Sequence, residues 1–460
     1  MRNGLASLIG FNANASAIVA AAGKISTTQG SADEIYEITC ASEDEKNIKL
    51  INKILSSGHE SVLEHVFLNL SFNNVSVFVE QFMIEFRLAS FTVKSRRYVD
   101  FGKMGYVVPD FNGNSDLLQT YQKHMDYLFQ EYEFFIQSGV PKEDARFILP
   151  YSFRSNFYCT VNAREYVKIV NEMVFGRGKK YPELVMLGKS LMEQCEKEFP
   201  YLDIKKTYSD NDETIHENLG FEIKKNNQAD HQEFISIING TTEPEKMICK
   251  AASLFCGAPD FPDVEINDEE KQKNIIKEVL KKSRRRELEQ VYYTILFQKI
   301  SLAGVTHLVR HRMQSIIIPD YLKVYDFNKY VMPESIIQAG LRERYTDVFF
   351  RTGEVADKLQ KAGMNDCDMV YMLLSGMTVP VMTTMNANEL LTFIRLRTCN
   401  RAQWEIKNCA DELLKLLRQK NPVLFSMYGP TCYLTGRCPE GKMSCGQKEE
   451  VCRRYNPKEE

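Results

Sequence analysis

Val66, Leu68, Leu70 and Phe72 alternate with His65, Phe67, Asn69 and Ser71, the two-residue period of a strand with one strongly apolar face. The period then changes, and Val77 to Arg87 reads as a helix of about three turns without proline. The same succession returns later: Val291, Tyr293, Ile295 and Phe297 alternate, and Leu302 to Arg312 continues with helical spacing. Each copy is therefore expected to be a mixed strand and helix domain, not a bundle.

The two stretches correspond without a gap, since residue 63 answers 288 and residue 87 answers 312, an offset of 225 in both cases. Outside them, Ser7-Leu8-Ile9 answers Ser236-Ile237-Ile238, and Asn162-Ala163-Arg164-Glu165 answers Asn386-Ala387-Asn388-Glu389. Solenoid repeats have periods of roughly 20 to 50 residues, so a repeat this long implies two copies of a whole domain. The expected organisation is a first repeat over 1–205, a polar linker over 206–232, a second repeat over 233–435 and a cysteine-containing tail over 436–460.

The 460 residues are 44% hydrophobic, enough for each half to bury its own core. A net charge of −3 gives no global attraction to nucleic acid or to an anionic membrane, so phosphate recognition must come from local arginines. The run Lys281-Lys282-Ser283-Arg284-Arg285-Arg286 is read as a solvated helix face, and nucleic acid is not expected as a partner. There is no run of 18 apolar residues and no signal-peptide core at Met1-Arg2-Asn3-Gly4, so no membrane partner is expected. Twelve scattered cysteines then read as reduced, which points to the cytoplasm. In the tail, Cys432, Cys438, Cys445 and Cys452 lack the paired two-residue spacing of a zinc knuckle, and no metal is expected.

Candidate chemistry gathers at the end of the repeated helix. His307, Arg310 and His311 stand at i, i+3 and i+4, so on one helix face they would invite an anion. The first copy has Glu85-Phe86-Arg87 where the second has Arg310-His311-Arg312. Beyond the triplet the copies differ in the opposite sense. The first continues to Ser95-Arg96-Arg97-Tyr98, a hydroxyl beside guanidiniums suited to a phosphate, and the second to Pro319-Asp320-Tyr321-Leu322, which repels an anion.

These residues resemble the flavin-dependent thymidylate synthases, whose signature is Arg-His-Arg, seven residues, then Ser, with Arg and Tyr shortly after. The second copy carries the triplet and the first carries Ser95, Arg97 and Tyr98, so neither holds the whole signature. The family's His-x-Ser/Thr-x-x-Glu-His segment matches His59 to His65, its arginine before Leu-Pro matches Arg146, and its Asn-Ala-Arg matches Asn162-Ala163-Arg164. The arginine ahead of Ala-Gln-Trp-Glu matches Arg397, with Ala402-Gln403-Trp404-Glu405 after it. Two positions depart from the pattern. Val93 stands where an acidic residue precedes the serine, and His307 stands where a glutamine precedes the triplet.

The resemblance implies an α+β fold in two tandem copies, each a mainly antiparallel sheet with packed helices. It implies transfer of a one-carbon unit to C5 of dUMP, with reduction to dTMP, using FAD as cofactor and methylenetetrahydrofolate and NADPH as co-substrates. On that reading Ser95, Arg97, Arg146, His307, Arg310 and Arg397 bind the nucleotide, and Arg310 and Arg397 polarise the pyrimidine. His59, Ser61, Glu64, Asn162, Arg164, Lys168, His311 and Arg312 hold the flavin. In the family, sites are built between the subunits of a homotetramer, so a homodimer of this chain, a pseudo-tetramer with two complete composite sites, is expected. A related flavoenzyme acting on another pyrimidine nucleotide, and a flavin- or nucleotide-binding regulatory protein without turnover, stay open as alternatives.

Overall fold

The structure is a computed structural model that describes residues 4–97, 99–202, 204, 234–258 and 266–456. The expected linker over 206–232 and the signature residue Tyr98 lie outside the described residues. Two four-stranded antiparallel sheets repeat one topology. The first contains β1 (Leu5–Phe11), β2 (Phe67–Ser76), β3 (Ala89–Val93) and β4 (Arg154–Asn162) in the order β1-β2-β4-β3. The second contains β5 (Ile235–Gly240), β6 (Tyr292–Ser301), β7 (Gln314–Ile317) and β8 (Thr378–Asn386) in the order β5-β6-β8-β7. Phe67 pairs with Asn162 in the first sheet as Tyr292 pairs with Asn386 in the second, and an irregularity recurs at Phe72/Val75 and Phe297/Ile300.

The apolar face read from the alternation is the buried face. Val66, Leu68, Leu70 and Phe72 are fully buried, as are Val291, Tyr293, Ile295 and Phe297. The helix after each central strand is shorter than its spacing suggests, ending at Ile84 in the first copy and Leu308 in the second. Both begin on a serine that caps the first turn, Ser76 or Ser301, through the amide of Val79 or Gly304. A buried glutamate then holds each cap in place: Glu183 accepts from the Ser76 amide at 2.8 Å, and Glu405 from the Ser301 amide at 2.7 Å.

The chain divides into two compact units that cut across the repeat. One holds the described residues of 1–227 together with 332–376, and the other those of 228–331 and 377–460. Within the first unit, equivalent segments of the two copies pair about a local two-fold. Pro150 bridges Leu374, its own counterpart at an offset of 224, in antiparallel sense. The Tyr151 amide donates to the Leu373 carbonyl at 2.7 Å, and the Ser375 amide returns the bond to Leu149 at 2.9 Å. Such reciprocal exchange is what an isologous contact between copies requires. Gly376 permits the approach, because a Cβ there would meet the Phe147 carbonyl oxygen at 3.0 Å.

The same unit packs the helix Ser115–Gln137 against Arg342–Lys361. Arg344 makes a bidentate pair with Glu131 at 2.6 and 2.8 Å and lies over Phe134. Deeper in, His124 meets the Thr352 hydroxyl at 3.1 Å; that hydroxyl already donates to Val348, so the imidazole is the donor. Burial, with Arg351 nearby, pushes the His124 pKa down to about 4.

Between pH 6.5 and 4 the unfolded chain takes up a proton that the folded chain refuses, so stability falls on acidification, by about 3 kcal/mol over the window. Melting curves from pH 7 to 4.5 are expected to show this fall, and His124→Gln to flatten its upper part. Equal slopes in the two proteins would refute the assignment.

The tail folds onto the second unit. The buried guanidinium of Arg418 donates to the carbonyls of Tyr455 at 2.7 Å and Tyr428 at 3.0 Å, and the Tyr455 hydroxyl donates to Asp411 at 2.5 Å. All twelve cysteines are thiols, and among the described residues no group of three or more His, Cys, Asp or Glu is arranged to hold a metal. The basic run is paired locally, Lys281 with Glu278, Lys282 with Glu287 and Arg286 with Glu289. No helix among the described residues is long and apolar enough to cross a membrane.

Candidate functional site

Three clusters collect the residues singled out in the sequence, and each is described within its own unit. The first is a cleft of about 1210 Å³ in the first repeat. Asn162 ends β4 and caps the helix Ala163–Val174, accepting from the Glu165 amide at 2.9 Å. Tyr166, Ile169, Val170 and Met173 bury one side of that helix. Arg164, Val167, Lys168 and Asn171, spaced by three and four residues, turn the other side to the cleft. Opposite them the short helix Glu60–His65 brings Glu60 and Glu64, which pair with Arg164 at 3.4 and 2.7 Å. His59 and Ser61 are exposed on the same segment and do not line the cleft.

Two features of the lining were not legible in the sequence. The Oδ1 of Asn171 and the hydroxyl of Tyr201 are both buried at the cleft wall without a hydrogen-bond partner. A buried polar atom left so costs about 1 to 3 kcal/mol, which a ligand in the cleft would recover. The charge balance is also unexpected. Glu60, Glu64, Glu165 and Glu196 face only Arg164 and Lys168, so the cleft by itself is acidic.

The second cluster forms behind β3. Arg97 pairs through Nε with Glu143 Oε2 at 2.5 Å, and Arg146 donates from its own Nε to the Glu143 carbonyl at 3.0 Å. Glu143 thus draws together two arginines that lie far apart in sequence, and Ser95 joins them through the Arg97 amide, which donates to its hydroxyl at 3.4 Å. Arg97 is partly exposed while Arg146 is buried, so the cluster opens on one side. The sequence held no signal for Glu143, whose partner is 46 residues away.

The third cluster surrounds the triplet. The helix Leu302–Leu308 stops before it, because the side-chain amide of Gln314 donates to the Leu308 carbonyl at 2.6 Å and the His311 backbone amide donates to it at 3.0 Å. His307, Arg310 and His311 consequently do not share one helix face: Arg310 and Arg312 are exposed, and His311 between them is buried. His311 Nδ1 lies 2.9 Å from Glu389, and its Nε2 accepts from Arg397 Nε at 3.0 Å. Arg397 also donates to the His307 carbonyl at 3.3 Å. Accepting from a guanidinium requires an unprotonated Nε2, so His311 is the neutral tautomer with its proton on Nδ1. Burial holds its pKa below the ordinary value, and Arg397 works in the same direction against Glu389. Glu389, which orients the ring, recurs in the sequence as the partner of Glu165, and that recurrence was its signal.

Where one copy lacks a set, its residues have other employment. Phe82 and Phe86 stand at the positions of His307 and His311 and lie beneath the guanidinium of Arg177, which pairs with Glu85 at 2.6 Å. Asp320, at the position of Ser95, caps the helix Tyr321–Val324 by accepting from the Leu322 amide at 3.1 Å. Asn388 replaces Arg164 yet still reaches the equivalent glutamate, Glu289, at 3.3 Å.

Comparison with known proteins agrees with this internal arithmetic. The family model described as "Thymidylate synthase complementing protein" matches twice, over residues 7–201 and 236–423. A flavin-dependent thymidylate synthase of Clostridium tetani is 29% identical over 243 residues, which are 48% of this chain and 96% of that protein. One from Geobacter sulfurreducens is 32% identical over 231 residues, 48% of this chain and 97% of that protein. Among solved structures, the UMP/dUMP methylase PolB of Streptomyces cacaoi, bound with 5-Br dUMP, is 20% identical with a TM-score of 0.37, covering 44% of this chain and 93% of that one. Each of the two synthases has about the length of one repeat, and the family model matches both repeats. The chain belongs to the thymidylate synthase complementing protein family, as a tandem duplication of its domain.

Proposed function

We propose that this protein is a flavin-dependent methyltransferase that delivers a one-carbon unit from methylenetetrahydrofolate to C5 of dUMP and reduces it to give dTMP, with NADPH as reductant. The observation that carries the reading is the division of labour: Ser95, Arg97 and Arg146 cluster in the first repeat, and Arg310, His311 and Arg397 in the second, each where the other copy has substituted residues in structural roles. We read the sets as complementary, so that a site takes its nucleotide-binding loop from a first repeat and its triplet from a second.

FAD supplies the redox chemistry when bound. The cleft suits it in size and in offering two unpartnered polar atoms, but four carboxylates against two cations do not suit a pyrophosphate. Arg312 of the triplet would supply the missing positive charge, with Asn162, Arg164 and Lys168 completing the contacts from the cleft wall, whereas His59 and Ser61 stand outside the cleft and both ring nitrogens of His311 are taken by Glu389 and Arg397. The guanidiniums of Arg97 and Arg146 and the hydroxyl of Ser95 would bind the nucleotide phosphate. Arg310 and Arg397 would polarise the pyrimidine carbonyls, Arg397 being oriented by the neutral ring of His311. His307 takes the place of the family's glutamine at the base.

The test is chemical. The chain, purified anaerobically with FAD, is expected to show a flavin spectrum, to reoxidise reduced flavin when dUMP and methylenetetrahydrofolate are added together, and to release dTMP. Product from UMP or dCMP but none from dUMP would move the assignment to another pyrimidine nucleotide. Tight nucleotide binding without reoxidation would make it a binding protein.

A further inference from the structure

Arg96 stands between Ser95 and Arg97 but turns the opposite way. Its neighbours are partly exposed, whereas Arg96 is 7% exposed and buries its guanidinium against Glu80 in the helix Val77–Ile84. Glu80, 1% exposed, pairs with Arg96 through one carboxylate oxygen and accepts the hydroxyl of Ser155 on β4 with the other. The Phe153 ring lies 5.5 Å from the guanidinium. Around this anchor the main chain closes, with the Val99 amide donating to Ser95 at 3.0 Å and the Lys94 amide to Asn156 at 3.2 Å.

A buried ion pair is a poor source of net stability, because desolvating two charges consumes most of what their attraction returns. The second repeat shows that the fold does not need it. At the equivalent positions it has Val305, Tyr321 and Val379, all buried, in a sheet of the same order and register. The two copies thus differ at all three positions together. The complete network is found in the copy that carries Ser95 and Arg97, and the apolar set in the copy that carries Asp320.

We propose that the Glu80–Arg96–Ser155 network is a positioning device for the nucleotide phosphate. Glu80, tied through its other oxygen to Ser155 on β4, holds the guanidinium of Arg96 beside the Phe153 ring and so fixes the turn in rotation as well as in place, presenting Ser95 and Arg97 on the side where Glu143 gathers Arg97 and Arg146. The inference rests on the assignment of Ser95 and Arg97 to the nucleotide. The three residues act through that loop and not on the substrate.

The combined variant Glu80→Val, Arg96→Tyr, Ser155→Val installs the second repeat's own solution, so it is expected to fold and to melt close to the wild type. Titration of the full chain with FAD present is expected to show about a tenfold or greater loss of dUMP affinity, with affinity for deoxyuridine, which lacks the phosphate, unchanged. Full dUMP affinity in a folded variant overturns the inference, and so does an equal loss for both ligands. A wild-type chain that binds no dUMP overturns the nucleotide reading itself, a result distinct from binding that survives the substitutions. Should the combined variant melt early, Arg96→Lys carries the same test: the charge facing Glu80 stays, the planar group beside the Phe153 ring goes, and dUMP affinity alone is expected to fall. Unchanged dUMP affinity in that variant overturns the proposal equally.

Discussion

Arg310→Ala is expected to weaken dUMP binding by about 1.5 to 3 kcal/mol, the worth of a hydrogen bond to a charged group, and Ser95→Ala to weaken it comparably. Asp320→Ala and Glu85→Ala, at the corresponding positions of the other copy, are expected to change it by less than about 0.5 kcal/mol. The asymmetry is what a composite site requires, since Asp320 caps a short helix and Glu85 serves Arg177. Glu85→Ala removes an ion pair whose arginine is half exposed, so its effect on stability is small as well. Calorimetric titration of the four variants checks this, and equal losses at all four positions would sink the complementary reading.

His311→Phe has the second large effect, and it separates function from folding. Phenylalanine is the first copy's own residue at this position, Phe86, and the aromatic contact with Phe393 survives the change. The buried Glu389 carboxylate is left without its partner, so stability is expected to fall by about 1 to 3 kcal/mol, and kcat is to be read at a temperature where the variant is folded. Arg397, however, loses the ring nitrogen that receives its Nε, and Glu389 loses its imidazole partner. A displaced guanidinium at the reacting pyrimidine is expected to cost about a hundredfold in kcat. His311→Gln, which can still accept from Arg397, is expected to recover part of it. A variant with unchanged turnover would show that His311 does not orient Arg397 for the reaction.

Strand identity and burial in both sheets were legible because a period of two leaves little ambiguity. Val66, Leu68, Leu70 and Phe72 all face the core, as do Val291, Tyr293, Ile295 and Phe297. Helix length was not legible. Leu302 to Arg312 contains no proline and its glycine, Gly304, lies in the first turn, so nothing local marks the end; the helix stops early because Gln314 and the pull of Glu389 and Arg397 on His311 reward a turn there. Glu143 escaped notice because its role depends on a chain crossing that no local pattern records. The exchange of the segment 332–376 into the first unit was invisible for a different reason: a repeat reveals which residues are equivalent, not which copies pack against each other. Lys168 and Arg164, assigned to the flavin by resemblance, do line the cleft, whereas the acidity of that cleft emerged only from the arrangement of its walls.

The most direct test of the central claim is the stoichiometry of dUMP binding to the full chain with FAD present. Composite sites predict one dUMP for each 460-residue chain, with that single site lost in Arg310→Ala and in Ser95→Ala alike. Two dUMP per chain, or one that persists at full affinity in either variant, would show that a repeat builds its site alone and would contradict the account.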